Sequence, residues 1–372
     1  MALNSTTFSG KQFAVYIAAE GTTGTFETTA GDYRRVDVEG ITLPTFNPQQ
    51  EFEMRSGSGR IAEFDQIFSS TKRVVTEFTL SGRLTQEMWV ILSESATGDE
   101  FDGGAGSDSV LTLDKNYSGI NFKVGTDPAN NSDFSHLVSV YFDAPTASDS
   151  YSLKSCTCTN FSIDADMDSA AGRFNYSATF QTQSAPAKGE VSGLVAGATA
   201  IGTNFLFLSD WDERVLDVKG TASADDITPL FKTFNFAIDC PTQFLGATGA
   251  NGEPEVWAKA LPELSITYGG TVKYDDETDQ MVEAYRDAAE DSYLGLYLAD
   301  VPVDGTPETP TNEFFDTAGG GSTSKFGIWA GKAKLTSCEV TSDDVAMVSF
   351  EAKVLAPNTG NALHLLGGDN VA

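Results

Sequence analysis

The sequence predicts a mainly β protein with two tandem β domains, each carrying one flanking α-helix. Apolar residues alternate with polar ones over short runs that end at turn residues, which is the pattern of half-buried strands. Helical periodicity marks two segments, and the same order of strands and helix follows twice along the chain. The 372 residues allow about two or three domains of ordinary size.

Alternation predicts the strands in the following order. Each run places apolar side chains on one face of a strand and polar side chains on the other. The predicted strands cover residues 12–18, 74–83, 119–124, 137–142, 151–165 and 173–182, then 204–208, 230–239, 263–273, 294–299, 327–340 and 346–355.

Two helices are predicted, each directly after a strand. The first covers residues 85–95, where Thr85 with Glu87 can cap the first turn. The second covers residues 276–291, and its acidic first turn suits the positive end of the helix dipole. Their apolar faces consist of Met88, Val90, Ile91 and Leu92 in the first helix and of Met281, Val282, Tyr285, Ala288 and Ala289 in the second.

An internal duplication explains the repeated order of elements. Each half is predicted to open with a short apolar strand, 13–18 or 205–209, and to close with two long alternating strands around an acidic turn. In this alignment Cys338 matches Cys156. The matching middle segments are 41–44, 75–82 and the first helix in one half, and 234–238, 264–270 and the second helix in the other.

The domain boundaries follow from this repeat. The first β domain is predicted over residues 1–190 and the second over residues 204–372, which includes a C-terminal arm. Between them, residues 191–203 are rich in small side chains and are predicted to be the linker.

The charge balance excludes several classes of function. Against 23 Lys and Arg stand 53 Asp and Glu, a formal net charge of −30, so the surface repels phosphate and binding of nucleic acid by charge attraction is excluded. The two histidines, His136 and His364, have no triad or metal spacing. Four cysteines, no signal-peptide pattern and no long apolar run predict folding in a reducing cytoplasm, without a membrane span.

Two local patterns resemble metal sites and are better explained otherwise. Asp164, Asp166 and Asp168 alternate as in a calcium loop, but Ser169 and Asn175 stand where that loop needs Gly and Glu, so an acidic turn is favoured over a cation site. Cys156 and Cys158 share one face of a strand without a second pair, which favours small core residues. We therefore expect no catalytic, cofactor or metal residues and no enzyme activity.

Two long connections are candidate interaction arms. Residues 47–72 and 242–262 occupy matching places in the two halves and are longer than a structureless loop in a compact domain usually is. Both contain apolar residues that need partners, and the segment 55–60 of the first is predicted to be a mobile loop. We expect these arms to mediate contacts between assembled copies.

The chain resembles the major tail tube protein of long-tailed, siphovirus-type bacteriophages, in a duplicated two-domain form. The resemblance runs from about residue 13 to about residue 357. It depends on the architecture and on stretches such as Val74-Val-Thr-Glu-Phe-Thr-Leu-Ser-Gly-Arg-Leu-Thr-Gln-Glu-Met-Trp-Val-Ile-Leu.

The resemblance implies a fold, an assembly and a location. Each domain would be a β-sandwich flanked by a helix, and homotrimers with pseudo-sixfold symmetry would stack as rings into the virion tail tube after assembly in the host cytoplasm. Expected partners are further copies, the tail terminator, tape measure and distal tail proteins, and passing double-stranded DNA that is not specifically bound. An acidic channel wall would keep that DNA mobile during genome ejection.

Two other functional classes stay open at the level of sequence. A surface β-sandwich adhesin that binds glycans also uses strands rich in Thr, Ser and Gly, although the missing signal peptide weighs against it. A hydrolase with paired carboxylates is the third reading, because acidic residues are plentiful.

Overall fold

The structure is a computed structural model, and it confirms a mainly β protein. It describes residues 12–21, 25–44, 49–52, 67–70, 76–98, 109–114, 121–123, 137–182, 184, 186–200, 202, 204–211, 213–219, 226–248, 254–260, 264–287, 293–299, 326–342, 345–356 and 361–367. Among the helices of these residues, none is long and apolar enough to cross a membrane.

Among the described residues, twelve strands lie before residue 204, in what we call the first half. Burial alternates along several of them, as in Thr76–Arg83 and Asn175–Thr182, so one face of these strands enters the core. They are β1 (Ala14–Ala19), β2 (Arg34–Val36), β3 (Gly40–Thr42), β4 (Gln49–Phe52), β5 (Ile67–Ser70), β6 (Thr76–Arg83), β7 (Ser109–Asp114), β8 (Asn121–Lys123), β9 (Val138–Asp143), β10 (Tyr151–Asp166), β11 (Asn175–Thr182) and β12 (Ala187–Lys188).

In the second half, which begins at residue 204, ten further strands lie among the described residues. They are β13 (Glu213–Lys219), β14 (Asp226–Ile227), β15 (Phe231–Asp239), β16 (Thr242–Thr248), β17 (Pro254–Ala260), β18 (Ser265–Lys273), β19 (Tyr293–Ala299), β20 (Phe326–Ser342), β21 (Ala346–Val354) and β22 (Asn361–Gly367).

Three α-helices accompany the strands in the part of the chain that the structure describes. The first, α1 (Gln86–Thr97), begins where the Thr85 hydroxyl accepts a hydrogen bond from the Met88 amide, and it ends at Gly98 in the left-handed region, as expected of a C-cap. A short helix α2 (Leu194–Gly197) follows β12, and α3 (Asp279–Asp287) follows β18. Both predicted helices are therefore present, and the second begins three residues later than predicted, while residues 288–291 lie outside the described residues.

The strands of the first half pair in a defined antiparallel order. Strand β9 lies between β1 and the first part of β10, and β2 extends this layer beyond β1. The second part of β10 pairs with β11, which pairs with β6, which pairs with β3. Because β10 takes part in both layers, it links them, and α1 lies against this strand.

The same pairings recur in the second half. Strand β19 lies between β13 and the first part of β20, and β14 extends this layer beyond β13. The second part of β20 pairs with β21, β21 with β18, and β18 with β15. In both halves the helix directly follows the third strand of the second layer, β6 or β18.

The two halves join edge to edge. Residues Asn160–Asp166 of β10 pair in antiparallel register with Thr233–Asp239 of β15. The strands β3, β6, β11, β10, β15, β18, β21 and β20 therefore follow one another in a single antiparallel sheet, which we call the long sheet. Each half contributes four of its strands.

The segment of the first half between α1 and β9 also pairs with strands of the second half. Strand β7 pairs with β22 near the C-terminus, and β22 in turn pairs with the first part of β20. Strand β8 pairs with β17, the second strand of the β16–β17 hairpin. The chain between α1 and β9 thus adds strands to two elements of the second half.

Aromatic residues fill the core where the halves meet. The indole ring of Trp89 on α1 packs between the rings of Phe161, Phe236 and Phe326, at centroid distances of 5.8, 6.1 and 4.8 Å. Its Nε1 donates to the carbonyl oxygen of Leu366 at 2.8 Å. One helix of the first half is therefore anchored to strands of both halves.

The structure differs from the sequence prediction at the opening of the second half. Residues 204–208 were predicted to be its first strand, but Phe205 and Phe207 form isolated bridges to Thr85 and Arg173, and Leu208 begins a 3₁₀ turn. The counterpart of β1 is β13, which pairs with β14 and β19 as β1 pairs with β2 and β9. The alternation of 204–208 comes from a connector whose Leu206 and Leu208 fill the core.

The segment predicted to be the linker packs on the first half. The Thr199 amide donates to the Tyr33 carbonyl, and the Arg35 amide donates to the Thr199 carbonyl, at 2.9 and 3.1 Å. Leu194 is buried beside Tyr33. Small residues at 191–203 therefore permit close packing, not only flexibility.

The two predicted interaction arms contain β-hairpins. Strands β4 and β5 form one, and β16 and β17 form the other, each between corresponding strands of the long sheet. The predicted mobile loop 55–60 lies outside the described residues.

Candidate assembly surface

The face of the long sheet that points away from the core is covered by small polar side chains. Strict register places Ser81, Ser177, Ser162, Ala237 and Thr267 in one row across five adjacent strands. The row crosses the junction between the halves without interruption. We call this surface the polar face.

A second row repeats this composition. Thr79, Thr179, Asn160, Asp239 and Ser265 stand side by side on β6, β11, β10, β15 and β18. The Thr79 and Thr179 hydroxyls lie 3.2 Å apart and form a hydrogen bond. Threonines paired across strands stabilise a sheet without presenting apolar surface to the solvent.

The charged residues described on the polar face are mixed in sign, with carboxylates more numerous. Arg83 is held by Glu39 at 2.9 Å and Asp37 at 3.6 Å, and Lys273 lies 3.8 Å from Asp275. Lys353 stands opposite Lys334 across β20 and β21. The carboxylates are Glu77, Asp164, Asp166, Asp239, Glu339 and Glu351, and the cations are Arg83, Lys273, Lys334 and Lys353.

Two of the three aspartates of the calcium-like pattern, Asp166 and Asp168, lie in an acidic turn. Asp166 accepts a hydrogen bond from the Asp168 amide at 2.9 Å, and Asp168 pairs with Lys232 at 3.0 Å. Asp164 stands apart on β10, opposite Asn175 and Asn235. Within the described part of the chain, no group of three or more His, Cys, Asp or Glu side chains could hold a metal ion.

The cysteines are buried free thiols. Desolvation raises the pKa of Cys240 to about 12 and that of Cys338 to about 11, so these thiols stay protonated at neutral pH. The strand pairing shows that the predicted match of Cys338 with Cys156 is wrong. Thr159 in β10 and Thr336 in β20 are bulge residues at equivalent places, and counting from them Cys338 corresponds to Phe161.

Of the two histidines, His364 is described and lies in the core. Its ring packs against Trp329 in an edge-to-face arrangement at 4.8 Å, and desolvation lowers its pKa to about 4. A neutral buried imidazole of this kind is a core residue. His136 lies outside the described residues.

The two ends of the long sheet are the other notable feature of this surface. At one end β3 pairs with β6, and at the other the second part of β20 pairs with β21. Within the described residues no strand pairs with the outer edge of either. Exposed strand edges are templates for pairing with another chain.

Apolar side chains lie at both ends. Ile41 and Leu43 are partly buried at the β3 end, and Val340 is 40% exposed on β20. The sequence predicted the strand β20 and matched residues 41–44 with 234–238, but it could not show that these segments end the sheet, because end positions follow from the pairing order.

No protein-family model matches the chain, and no curated protein matches it.

Proposed function

We propose that the chain is the subunit of a phage tail tube, a major tail tube protein of a long-tailed bacteriophage in duplicated two-domain form. The observation that carries the proposal is the long sheet, in which two equivalent four-strand sets are joined edge to edge. A sheet that already joins two equivalent sets within one chain has the geometry needed to continue into further copies.

The ring follows from repeating this junction. Three copies would place six four-strand sets around one axis, which is the homotrimer with pseudo-sixfold symmetry that the resemblance implies. Each half would then be one tail-tube-type β-sandwich with its flanking helix. Stacked rings would form the tube, and the hairpins β4–β5 and β16–β17 are candidates for the contacts between rings.

The polar face would line the channel. Double-stranded DNA carries about one negative charge per 1.7 Å of its axis, so a basic wall would bind it by releasing counterions. On the polar face carboxylates outnumber cations, and Arg83 and Lys273 are close to carboxylates. Small hydroxyl and amide side chains offer no apolar or cationic surface on which DNA could be retained.

Electron microscopy of the purified protein in negative stain tests the assembly. We expect rings or tubes with a central channel. An adhesin or a hydrolase would give neither, so single particles of one chain at high concentration would reject the proposal.

Charge reversal tests the channel. Replacing Asp164, Asp239 and Glu351 together by Lys should make assembled tubes retain double-stranded DNA at low salt and should slow genome ejection from virions. The matched control replaces Asp32, Glu190 and Glu283 by Lys, which changes the net charge equally at exposed sites off the polar face. Equal DNA retention and equal ejection rates for both variants would contradict a channel lined by the polar face.

A further inference from the structure

We propose that the outer edge of β20 pairs with β3 of a second copy of this chain, in the antiparallel register that β10 and β15 adopt within the chain. This inference rests on the proposed function and names the partner of the same sheet. It is carried by the equivalence of the strands and by side chains left uncovered at the end of the sheet.

The equivalence of β10 and β20 is fixed by their irregularities. Each strand has a bulge in its pairing with the next strand, at Thr159 in β10 and at Thr336 in β20. Counting from the bulges, Ile163 corresponds to Val340 and Asp164 corresponds to Thr341. β-bulges set the register of a sheet, so they are a reliable origin for this alignment.

The equivalence of β3 and β15 follows from their common neighbours. Ile41 stands opposite Leu80 on β6, and Phe234 stands opposite Gly270 on β18. The strands β6 and β18 correspond because each pairs with the strand that follows β10 or β20 in the chain. Thr42 therefore corresponds to Asn235.

The internal junction then gives the register of the external one. Within the chain, Ile163 stands opposite Phe236 and Asp164 opposite Asn235. Between copies, Val340 would stand opposite Leu43, and Thr341 opposite Thr42. Strand directions agree with this, because neighbouring strands alternate in direction across all eight strands of the long sheet and its two ends are antiparallel to each other.

Burial at the two equivalent positions indicates a missing neighbour. Ile163, which stands opposite Phe236 of the adjoining strand β15, is 1% exposed, whereas Val340 is 40% exposed. Tyr285 on α3, close to the same edge, is 39% exposed, and its hydroxyl donates to the Thr336 carbonyl at 3.4 Å. In the first half the corresponding helix α1 contacts the adjoining strand β15 through Trp89 and Phe236.

The predicted partner presents complementary side chains. Leu43, which would face Val340, is a partly buried apolar residue at the β3 end, as Ile41 is. Thr42 and Thr341 would extend the polar face from one copy to the next without adding charge. A continuous polar row across the internal junction is the observed precedent.

Disulfide crosslinking tests the register. Residues directly opposite in an antiparallel pair have Cα atoms about 4.5–5.5 Å apart, within the range of a disulfide. Mild oxidation of Thr42→Cys/Thr341→Cys should give a ladder of covalent oligomers that reduction removes. Each single variant should give at most a dimer.

An out-of-register pair is the matched control. In Thr42→Cys/Ser337→Cys the second cysteine lies on the same face but four residues away, about 13 Å along the strand, so the ladder should be lost. A ladder of equal intensity from this control would overturn the register. The native cysteines are buried and are common to all variants.

Blocking the edge provides an independent measurement. Val340→Lys should reduce the particle mass in solution to the 39.6 kDa of one chain, because a charge at the edge opposes strand pairing. Val345→Lys changes an equally apolar residue, 61% exposed at the turn before β21, and should leave the particle mass unchanged. A Val340→Lys protein that keeps its particle mass would overturn the proposal.

The outcomes of crosslinking and microscopy distinguish this inference from the proposed tail tube function. Tubes formed by a protein that gives no crosslinked ladder would reject the register and keep the proposed function. A crosslinked ladder without rings or tubes in the microscope would keep the register and reject the tail tube.

Discussion

The helices α1 and α3 occupy equivalent places in the two halves but meet different surroundings. In α1, even Ser93, Ser95 and Thr97 are buried together with the apolar residues, because strands of both halves cover the helix. In α3, Glu283, Tyr285 and Arg286 remain exposed. The comparison shows how the same structural unit looks with and without an adjoining unit.

The two helices differ most at one pair of positions. Counting from Thr85 and Thr278, Trp89 of α1 corresponds to Val282 of α3. The indole of Trp89 spans the junction between the halves, whereas Val282 is buried within one half. Larger side chains therefore stand where a helix must fill the space between two units.

The largest expected effect comes from truncating the junction residue. Trp89→Ala should lower the free energy of unfolding by about 4 kcal/mol, because it leaves a cavity among three aromatic rings and removes the donor to the Leu366 carbonyl. Val282→Ala should cost about 2 kcal/mol. Chemical denaturation of both variants measures the difference.

Trp89→Phe serves as the control for the ring itself. It keeps an aromatic side chain and loses the Nε1 hydrogen bond, so a loss of about 1–2 kcal/mol is expected. Equal losses of unfolding free energy for Trp89→Ala and Val282→Ala would contradict this expectation, because α1 at the junction would then contribute no more to stability than α3 does.

The next largest effect expected is a loss of folding stability in acid, through His364. His364 lies on β22, the strand that accepts the Trp89 hydrogen bond, and burial lowers its pKa to about 4. The unfolded chain takes up this proton near pH 6.5 and the native chain only near pH 4, so stability is lost as pH falls between these values. The loss approaches about 3 kcal/mol at the lower end.

His364→Leu isolates this contribution. The wild-type chain should lose about 2 kcal/mol more stability than the variant between pH 7 and pH 5, as measured by denaturation at both pH values. Parallel pH dependence of the two proteins would mean that the imidazole is not held neutral in the native state.

Losses of about 1–2 kcal/mol are expected at the threonines that precede the two helices. Thr85→Ala removes the acceptor of the Met88 amide and should cost about 1 kcal/mol. Thr278→Ala should cost about 2 kcal/mol, because its hydroxyl accepts from the Asp275 amide at 2.8 Å and donates to the Lys273 carbonyl at 3.0 Å. The melting temperatures of the two variants measure these losses. A larger decrease for Thr85→Ala than for Thr278→Ala would contradict the expected order.

Much of the fold was predictable from the sequence because its strands alternate cleanly. The periodicity of residues 151–165 and 173–182 predicted β10 and β11 to within two residues, and Thr85 was correctly predicted as a cap. Several strands were missed, among them β7, β13, β16, β17 and β22. Residues 361–367 carry several successive apolar side chains, because a strand that is buried on both faces does not alternate.

The candidate surface was less predictable, since it depends on long-range pairing. Alternation predicts which side chains of β10 share a face, but not that β15 lies beside it. The exposure of Val340 likewise depends on which strand ends the sheet. Matching sequence patterns also misplaced Cys338, because a bulge in each long strand shifts the register by one residue.

The ladder between β7 and β22 has a consequence for biosynthesis. Ser109–Asp114 are translated long before their partner Asn361–Gly367. This ladder cannot form until β22 has been synthesised and has left the ribosomal exit tunnel. Nascent chains that end before β22 therefore lack this part of the native structure.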